Sequence, residues 1–171
     1  DSAKICWLAD NVPEMLEEGR RILVFSQFTS MLALVEKLVK EIKAPYALLT
    51  GDTKDRGAEV DKFQSGAATV FLLSLKAGGS GLNLTAADTV IILDPWWNPA
   101  AEAQAVDRAH RIGQERPVFV YRLIALGTVE ERVAALHERK KDLIKGVMEG
   151  APSAMQLSAG ELRQLLSPLD R

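Results

Sequence analysis

The chain has 171 residues, 47% hydrophobic and 26% charged, with 21 Lys and Arg against 23 Asp and Glu for a net charge of −2. That length supports one domain with a substantial core, and the even charge balance excludes a polycation that coats nucleic acid nonspecifically, though not a local basic face. No apolar run approaches the roughly 20 residues of a membrane span, the lone Cys6 excludes an internal disulfide and fits a reducing compartment, and His110 and His137 lack metal-spaced partners.

In chain order, Asp1-Ser-Ala-Lys-Ile-Cys-Trp7 lacks the basic-then-apolar order of a signal peptide. Residues 4–18 have helical spacing (Ile5, Leu8, Ala9, Val12, Met15, Leu16), with Gly19 as a stop. Arg21-Ile-Leu-Val-Phe-Ser26 is a short apolar run expected of a strand buried on both faces. Met31, Leu34, Val35, Leu38 and Ile42 mark a second amphipathic helix, Pro45 starts a turn, and Tyr46–Leu49 reads as a second strand. Asp52 is placed to cap a helix over 53–65, and 67–73 is a third strand. A glycine-rich loop, Lys76-Ala-Gly-Gly-Ser-Gly81, precedes the buried strand Thr89–Leu93. Asn98-Pro99 has the cap-then-proline signature of a helix start, and that helix carries Arg108 and Arg111 toward Gly113. Pro117–Ile124 supplies a fifth strand. Thr128-Val-Glu-Glu131 is a capping box for a long helix with Val129, Val133, Leu136, Leu143 and Val147 on one side. Beyond Gly150 the chain reads as a linker, with a short helix over 158–166. Strands alternating with helices of this length predict an α/β fold, a mostly parallel sheet covered on both faces, in which ligands bind beyond the carboxyl ends of the strands.

Arg108 and Arg111, three positions apart, share one face of a helix and reach a single anion together. Paired arginines following a glycine loop make a phosphate-handling surface, yet no G-x-x-x-x-G-K-[ST] loop occurs anywhere in the sequence, as expected of half an ATP-driven machine. Plainer readings stand beside this one. The arginines can pair with Asp107 or Glu115 on a solvated helix face. The loop around Gly79-Ser-Gly81 starts like a dinucleotide fingerprint, but Leu84 holds the third glycine's place; Ser80 is not a nucleophile elbow, since Leu82 stands where glycine is needed. His110 points to a different helical face and is expected to make a structural hydrogen bond. The charged residues of 129–148 form a solvated surface.

Five blocks in order carry a family resemblance: Ile22-Leu-Val-Phe-Ser-Gln-Phe28; Leu49-Thr-Gly-Asp-Thr53 with Arg56; Leu73 through Leu84; Asp94-Pro-Trp-Trp-Asn-Pro99; and Gln104 through Gln114. With them, residues 3–148 resemble the second RecA-like lobe of a superfamily-two helicase, of the Swi/Snf type of DNA translocase. The resemblance implies a single RecA-like domain over 1–150 with a helical extension, 151–171 being linker and short helix. It implies that Arg108 and Arg111 act as arginine fingers on ATP held with Mg²⁺ mainly by an N-terminal RecA-like lobe of the same full-length protein. A guanidinium fork bridges two oxygens of a γ-phosphate in transit, which lysine does poorly. Gly79, Gly81, Asn83 and Gln104 would lie at the nucleotide, Asn83 near its ribose. Ser26, Gln27, Phe28, Thr50, Gly51, Lys76, Ala77, Gly78, Trp96 and Trp97 would line a track for double-stranded DNA, through phosphate contacts that carry no sequence information. Of the two tryptophans, one is expected under the domain and the other exposed. The implied location is intracellular, at the nucleus or nucleoid, with no membrane partner.

The chain departs from the family pattern at Ser74-Leu75, where many relatives have Ser-Thr, and at Asp52-Thr53. Two other classes remain: a module that keeps the fold without hydrolysis, and a complete Rossmann-type enzyme, which would need glycines at 26–30 where the chain has Ser-Gln-Phe-Thr-Ser.

Overall fold

A computed structural model of the chain describes residues 3–75, 82–94 and 117–125, together with 103, 104, 106, 107, 109, 128, 135 and 138. The chain divides into two compact units, Asp1–Leu123 and Ile124–Arg171. In the second unit, the Thr128 hydroxyl donates to the Ala125 carbonyl at 2.6 Å, and Ala135 and Glu138 are helical and exposed. The rest of the expected helix 129–148, and the expected linker and helix beyond Gly150, lie outside the described residues.

The first unit runs α1 (Ala3–Glu17), β1 (Ile22–Ser26), α2 (Thr29–Glu41), β2 (Tyr46–Leu49), α3 (Arg56–Gln64), β3 (Val70–Ser74), β4 (Thr89–Ile92) and β5 (Phe119–Arg122). The five strands form one all-parallel sheet in the order β2-β3-β1-β4-β5. This is the α/β, parallel arrangement expected from the alternating pattern, and it agrees with the RecA-like lobe that the resemblance implies.

Side chains alternate between two cores, as the pleat requires. Leu23 and Phe25 of β1, Ala47 and Leu49 of β2, Phe71 and Leu73 of β3, and Val90 and Ile92 of β4 point to one side, where Phe63 of α3 and Ala109 cover them. Ile22, Val24, Val70, Leu72 and Ile91 point to the other, under Leu8, Val12 and Met15 of α1 and Leu32, Val35, Leu38 and Val39 of α2. Burial on both faces explains why β1, β3 and β4 read as nearly unbroken apolar runs.

The connections follow local chemistry. Gly19 ends α1 at φ +76°, with its N–H on the Leu16 carbonyl and the Arg20 N–H on the Met15 carbonyl, a C-terminal cap that glycine enters without a Cβ penalty. Lys43 does the same after α2 at φ 56°, without glycine's freedom. At the amino edge, Asp88 accepts the Arg21 N–H at 3.0 Å, while the Arg21 guanidinium donates to the Ala68 carbonyl at 3.1 Å and lies 4.6 Å over the Phe63 ring. Burial pulls the pKa of Arg21 below its ordinary value, and Asp88 opposes that shift.

The expected Asp52 cap is corrected. Helix α3 starts at Arg56, and Asp55 caps it by accepting the Ala58 N–H at 2.9 Å. Residues 50–53 are committed to a turn of their own, so the helix cannot begin there. Asp55→Ala is expected to cost about 1 kcal/mol of stability, and Asp52→Ala only a few tenths. Paired urea titrations of the two variants would reveal a reversal if Asp52 were the cap.

Candidate nucleic-acid interface

In an all-parallel sheet every strand delivers its carboxyl end to the same edge. The registers set Ser26 beside Ser74, Phe25 beside Ile92, and Leu49 beside Leu73. Two further backbone bonds extend the pairing, from the Leu75 N–H to the Ser26 carbonyl at 3.1 Å and from the Leu93 N–H to the Phe25 carbonyl at 3.0 Å. The segments leaving β1 (Gln27-Phe28), β2 (Thr50-Gly51), β3 (Leu75) and β4 (Leu93-Asp94) therefore emerge along one edge. Four sequence blocks that are scattered along the chain become neighbours.

The turn after β1 is built around a buried carboxylate. Asp94, 2% exposed, accepts the Ser26 hydroxyl and the Gln27 N–H (3.1 Å) on one oxygen; its other oxygen lies 3.9 Å from the Lys4 ammonium. Lys4 also donates to the Leu93 carbonyl, and the Ser26 hydroxyl oxygen accepts the Phe28 N–H at 3.0 Å. Sequence reasoning expected Ser26 on a phosphate-facing surface. It is fully buried, because a serine ending an interior strand sits beneath the turn and not on it. Gln27 is half-buried, and Phe28 is 52% exposed at the start of α2, where it serves as N-cap residue without a side-chain cap bond.

The turn after β2 is held by Thr53. Its hydroxyl accepts the Thr50 N–H at 2.9 Å and donates to the Leu48 carbonyl at 3.4 Å, while its own N–H reaches the Thr50 carbonyl at 3.3 Å. The Thr50 N–H is thus already engaged, leaving the half-buried Thr50 side chain and the exposed Gly51 as the outward groups. A Cβ on Gly51 would meet nothing within 4 Å, so its surroundings are open. A groove of about 450 Å³ adjoins this turn between β2 and α3, lined among others by Tyr46, Thr53, Asp55 and Lys62. On its wall the Lys40 ammonium, then the Tyr46 hydroxyl, hold the Glu36 carboxyl below its usual range. Of the expected nucleotide residues, the described Asn83 and Gln104 do not line this groove.

Asn83 is exposed immediately before the buried anchor Leu84, and Gln104 is exposed on a helical segment whose Val106 and Ala109 pack on the α3 side of the sheet. Lys76, Ala77, Gly78, Gly79, Gly81, Trp96, Trp97, Arg108 and Arg111 lie outside the described residues, as does His110. Among the described residues no cluster of His, Cys, Asp or Glu could hold a metal ion, and no helix is long and apolar enough to cross a membrane.

The model of the helicase conserved C-terminal domain matches residues 3–113. The chain belongs to that family. Within it, this helicase lobe is of the Swi/Snf superfamily-two type. It is 44% identical over 157 residues to the chromatin-remodeling ATPase INO80 of Neurospora crassa, covering 90% of the chain and 8% of that protein. It is 45% identical over 153 residues to the protein of the same name from Aspergillus oryzae, covering 88% of the chain and 11% of that protein. The helicase lobe thus spans about a tenth of the length of these relatives. Among solved structures, the crystal structure of the C-terminal part of the Fun30 ATPase domain superposes with a TM-score of 0.75 at 36% identity, over 80% of the chain and 45% of that structure.

Lys4 and Asp94 were not assigned roles from the sequence. One signal was available: Lys4, Leu8, Val12 and Met15 share the buried stripe of α1, and a lysine on an apolar stripe requires a buried partner.

Proposed function

We propose that this helicase lobe is the second motor lobe of an ATP-dependent double-stranded DNA translocase, working with an N-terminal RecA-like lobe of the same full-length protein. The observation that carries this reading is the convergence of 26–28, 50–51, 75 and 94 on one edge of the sheet, the side on which ligands of parallel α/β sheets sit. A row of turns ending in Gln27, Phe28, Thr50 and Gly51 suits a phosphate backbone, with polar side chains and an open glycine surface but no base-reading pattern. Lys76, Ala77, Gly78, Trp96 and Trp97 would extend the track.

The nucleotide would lie between the two lobes. Asn83 and Gln104 expose amides with both donors and acceptors, which fit ribose hydroxyls and phosphate oxygens. Gly79 and Gly81 would let the backbone approach, and Arg108 and Arg111 would present guanidinium forks to the terminal phosphate. ATP with Mg²⁺ supplies the free energy of phosphoryl transfer to water; the phosphate loop and the carboxylate for the ion are assigned to the N-terminal lobe. The work would be done wherever the cell keeps its DNA, and relatives named chromatin-remodeling ATPases are consistent with duplex packaged by protein.

The 171-residue chain alone is expected to hydrolyse no ATP above background and to bind duplex DNA weakly. Raising salt from about 50 to 200 mM should weaken that binding roughly tenfold, because few phosphates are contacted. Turnover proportional to the chain, or binding that ignores salt and selects a sequence, would refute the half-site reading. A full-length protein that binds no ATP would favour an interaction module.

A further inference from the structure

A lysine and an aspartate are buried together beneath the candidate interface, at 7% and 2% exposure. Burying two charges is costly, and apolar residues of similar volume often serve stability as well or better. What the pair holds is therefore informative. Through one carboxylate, Asp94 fixes the Ser26 hydroxyl and the Gln27 N–H, and Ser26 in turn holds the Phe28 N–H. Through its ammonium, Lys4 fixes the Leu93 carbonyl and neutralises that carboxylate from 3.9 Å. The first turn of α1, the end of β4 and the exit from β1 are tied into one buried polar knot. Only the far side of the turn, Gln27 and Phe28, faces outward.

We propose that Lys4 is a positioning residue for the nucleic-acid grip: by counter-charging Asp94 it fixes the backbone of Gln27 and Phe28 in the conformation that meets DNA phosphate. This rests on the function proposed above for the same edge. Lys4 touches no ligand. It acts at a distance, through a carboxylate that accepts both the turn's hydroxyl and its first N–H. A second consequence is that α1 and the grip move as one body, since the link is an ion pair and hydrogen bonds in a water-poor site and not a sliding apolar contact.

The test uses the full-length, two-lobed protein carrying Lys4→Met, which keeps side-chain length and removes the charge, and Lys4→Arg, which keeps the charge. Amide exchange is followed over residues 26–30, with 70–74 of β3 as internal reference, beside duplex affinity and KM for ATP. Lys4→Met should quicken exchange at 26–30 roughly tenfold without changing 70–74. It should also raise the half-saturating duplex concentration roughly tenfold, with KM for ATP unchanged and with Lys4→Arg recovering most of the loss. Unaltered exchange at 26–30, or wild-type duplex affinity in a folded Lys4→Met protein, overturns the proposal. If Lys4→Met does not fold, Ser26→Ala keeps the ion pair and removes the hydroxyl link; duplex affinity and exchange at 26–30 that both stay at wild-type values then overturn it equally. Should the wild-type protein bind no duplex, the proposed function fails, while the exchange comparison still decides whether Lys4 orders the turn.

Discussion

Arg111→Ala in the full-length protein is expected to lower DNA-stimulated ATP hydrolysis by a factor on the order of 10³–10⁵, the range a trans-acting arginine supplies to phosphoryl transfer. That is about 4–7 kcal/mol of barrier. The loss should fall on kcat, because the guanidinium engages charge that grows only as the γ-phosphate departs. Arg111→Lys should recover little, since an ammonium cannot bridge two oxygens at once. Duplex binding without nucleotide should stay within about twofold, as the turns at 26–28 and 50–51 that are proposed to meet phosphate belong to other elements. Steady-state ATPase assays with saturating duplex, beside binding measured by anisotropy, make the comparison. Normal turnover by Arg111→Ala would remove the finger assignment and leave the arginine as a surface ion-pair partner.

Phe71→Ala is expected to be the most damaging single change to the fold. Phe71 lies on β3, which is hydrogen-bonded on both sides, is fully buried, and packs on the buried Phe63 ring with centroids 5.4 Å apart. Truncation leaves a cavity between sheet and α3 and should cost about 3–5 kcal/mol. Against a total stability of about 5–15 kcal/mol, that is a large share. The urea midpoint should fall by roughly 1–3 M with little change in slope. Leu34→Ala is the control: the side chain is 50% exposed on α2, and its loss should stay within about 0.5 kcal/mol. Equal midpoints for the two variants would mean that the α3 side of the sheet is not the core described here.

The central strands were legible in the sequence because burial on both faces leaves few polar residues to blur the pattern. Ile22–Ser26 and Tyr46–Leu49 match the expected runs closely, and Gly19 ends α1 where the sequence sets a stop. The start of α3 was harder. Asp52 and Asp55 are both sound caps by residue type, and the choice fell to Thr53, whose hydroxyl staples the preceding turn. Local propensity does not contain that competition. The site was legible as blocks but not as contacts. The Lys4 bond to the Leu93 carbonyl spans 89 positions, with Asp94 the next residue, and only the closed sheet sets α1 against the end of β4. Ser26, expected on an outward face of its turn, is buried beneath it, because the register of an interior strand, not residue type, decides which way a terminal hydroxyl faces.

The strand order has a bearing on how the protein is made. The central β1 pairs with β3 and β4, Ile22 meeting Val70 and Thr89, so neither neighbour exists when β1 leaves the ribosome. At usual elongation rates of about 5–20 residues per second, the wait for its second partner lasts on the order of 3–14 s. Throughout it, the apolar run Ile22–Phe25 stands unpaired, a β-prone segment of the kind that associates with other nascent chains. Helices α1 and α2, complete much earlier and packed against that same strand's neighbours in the finished sheet, are the natural shields. A truncated product ending before Thr89 would keep one side of β1 bare for good, and such fragments should accumulate in inclusion bodies while the longer chain stays in solution.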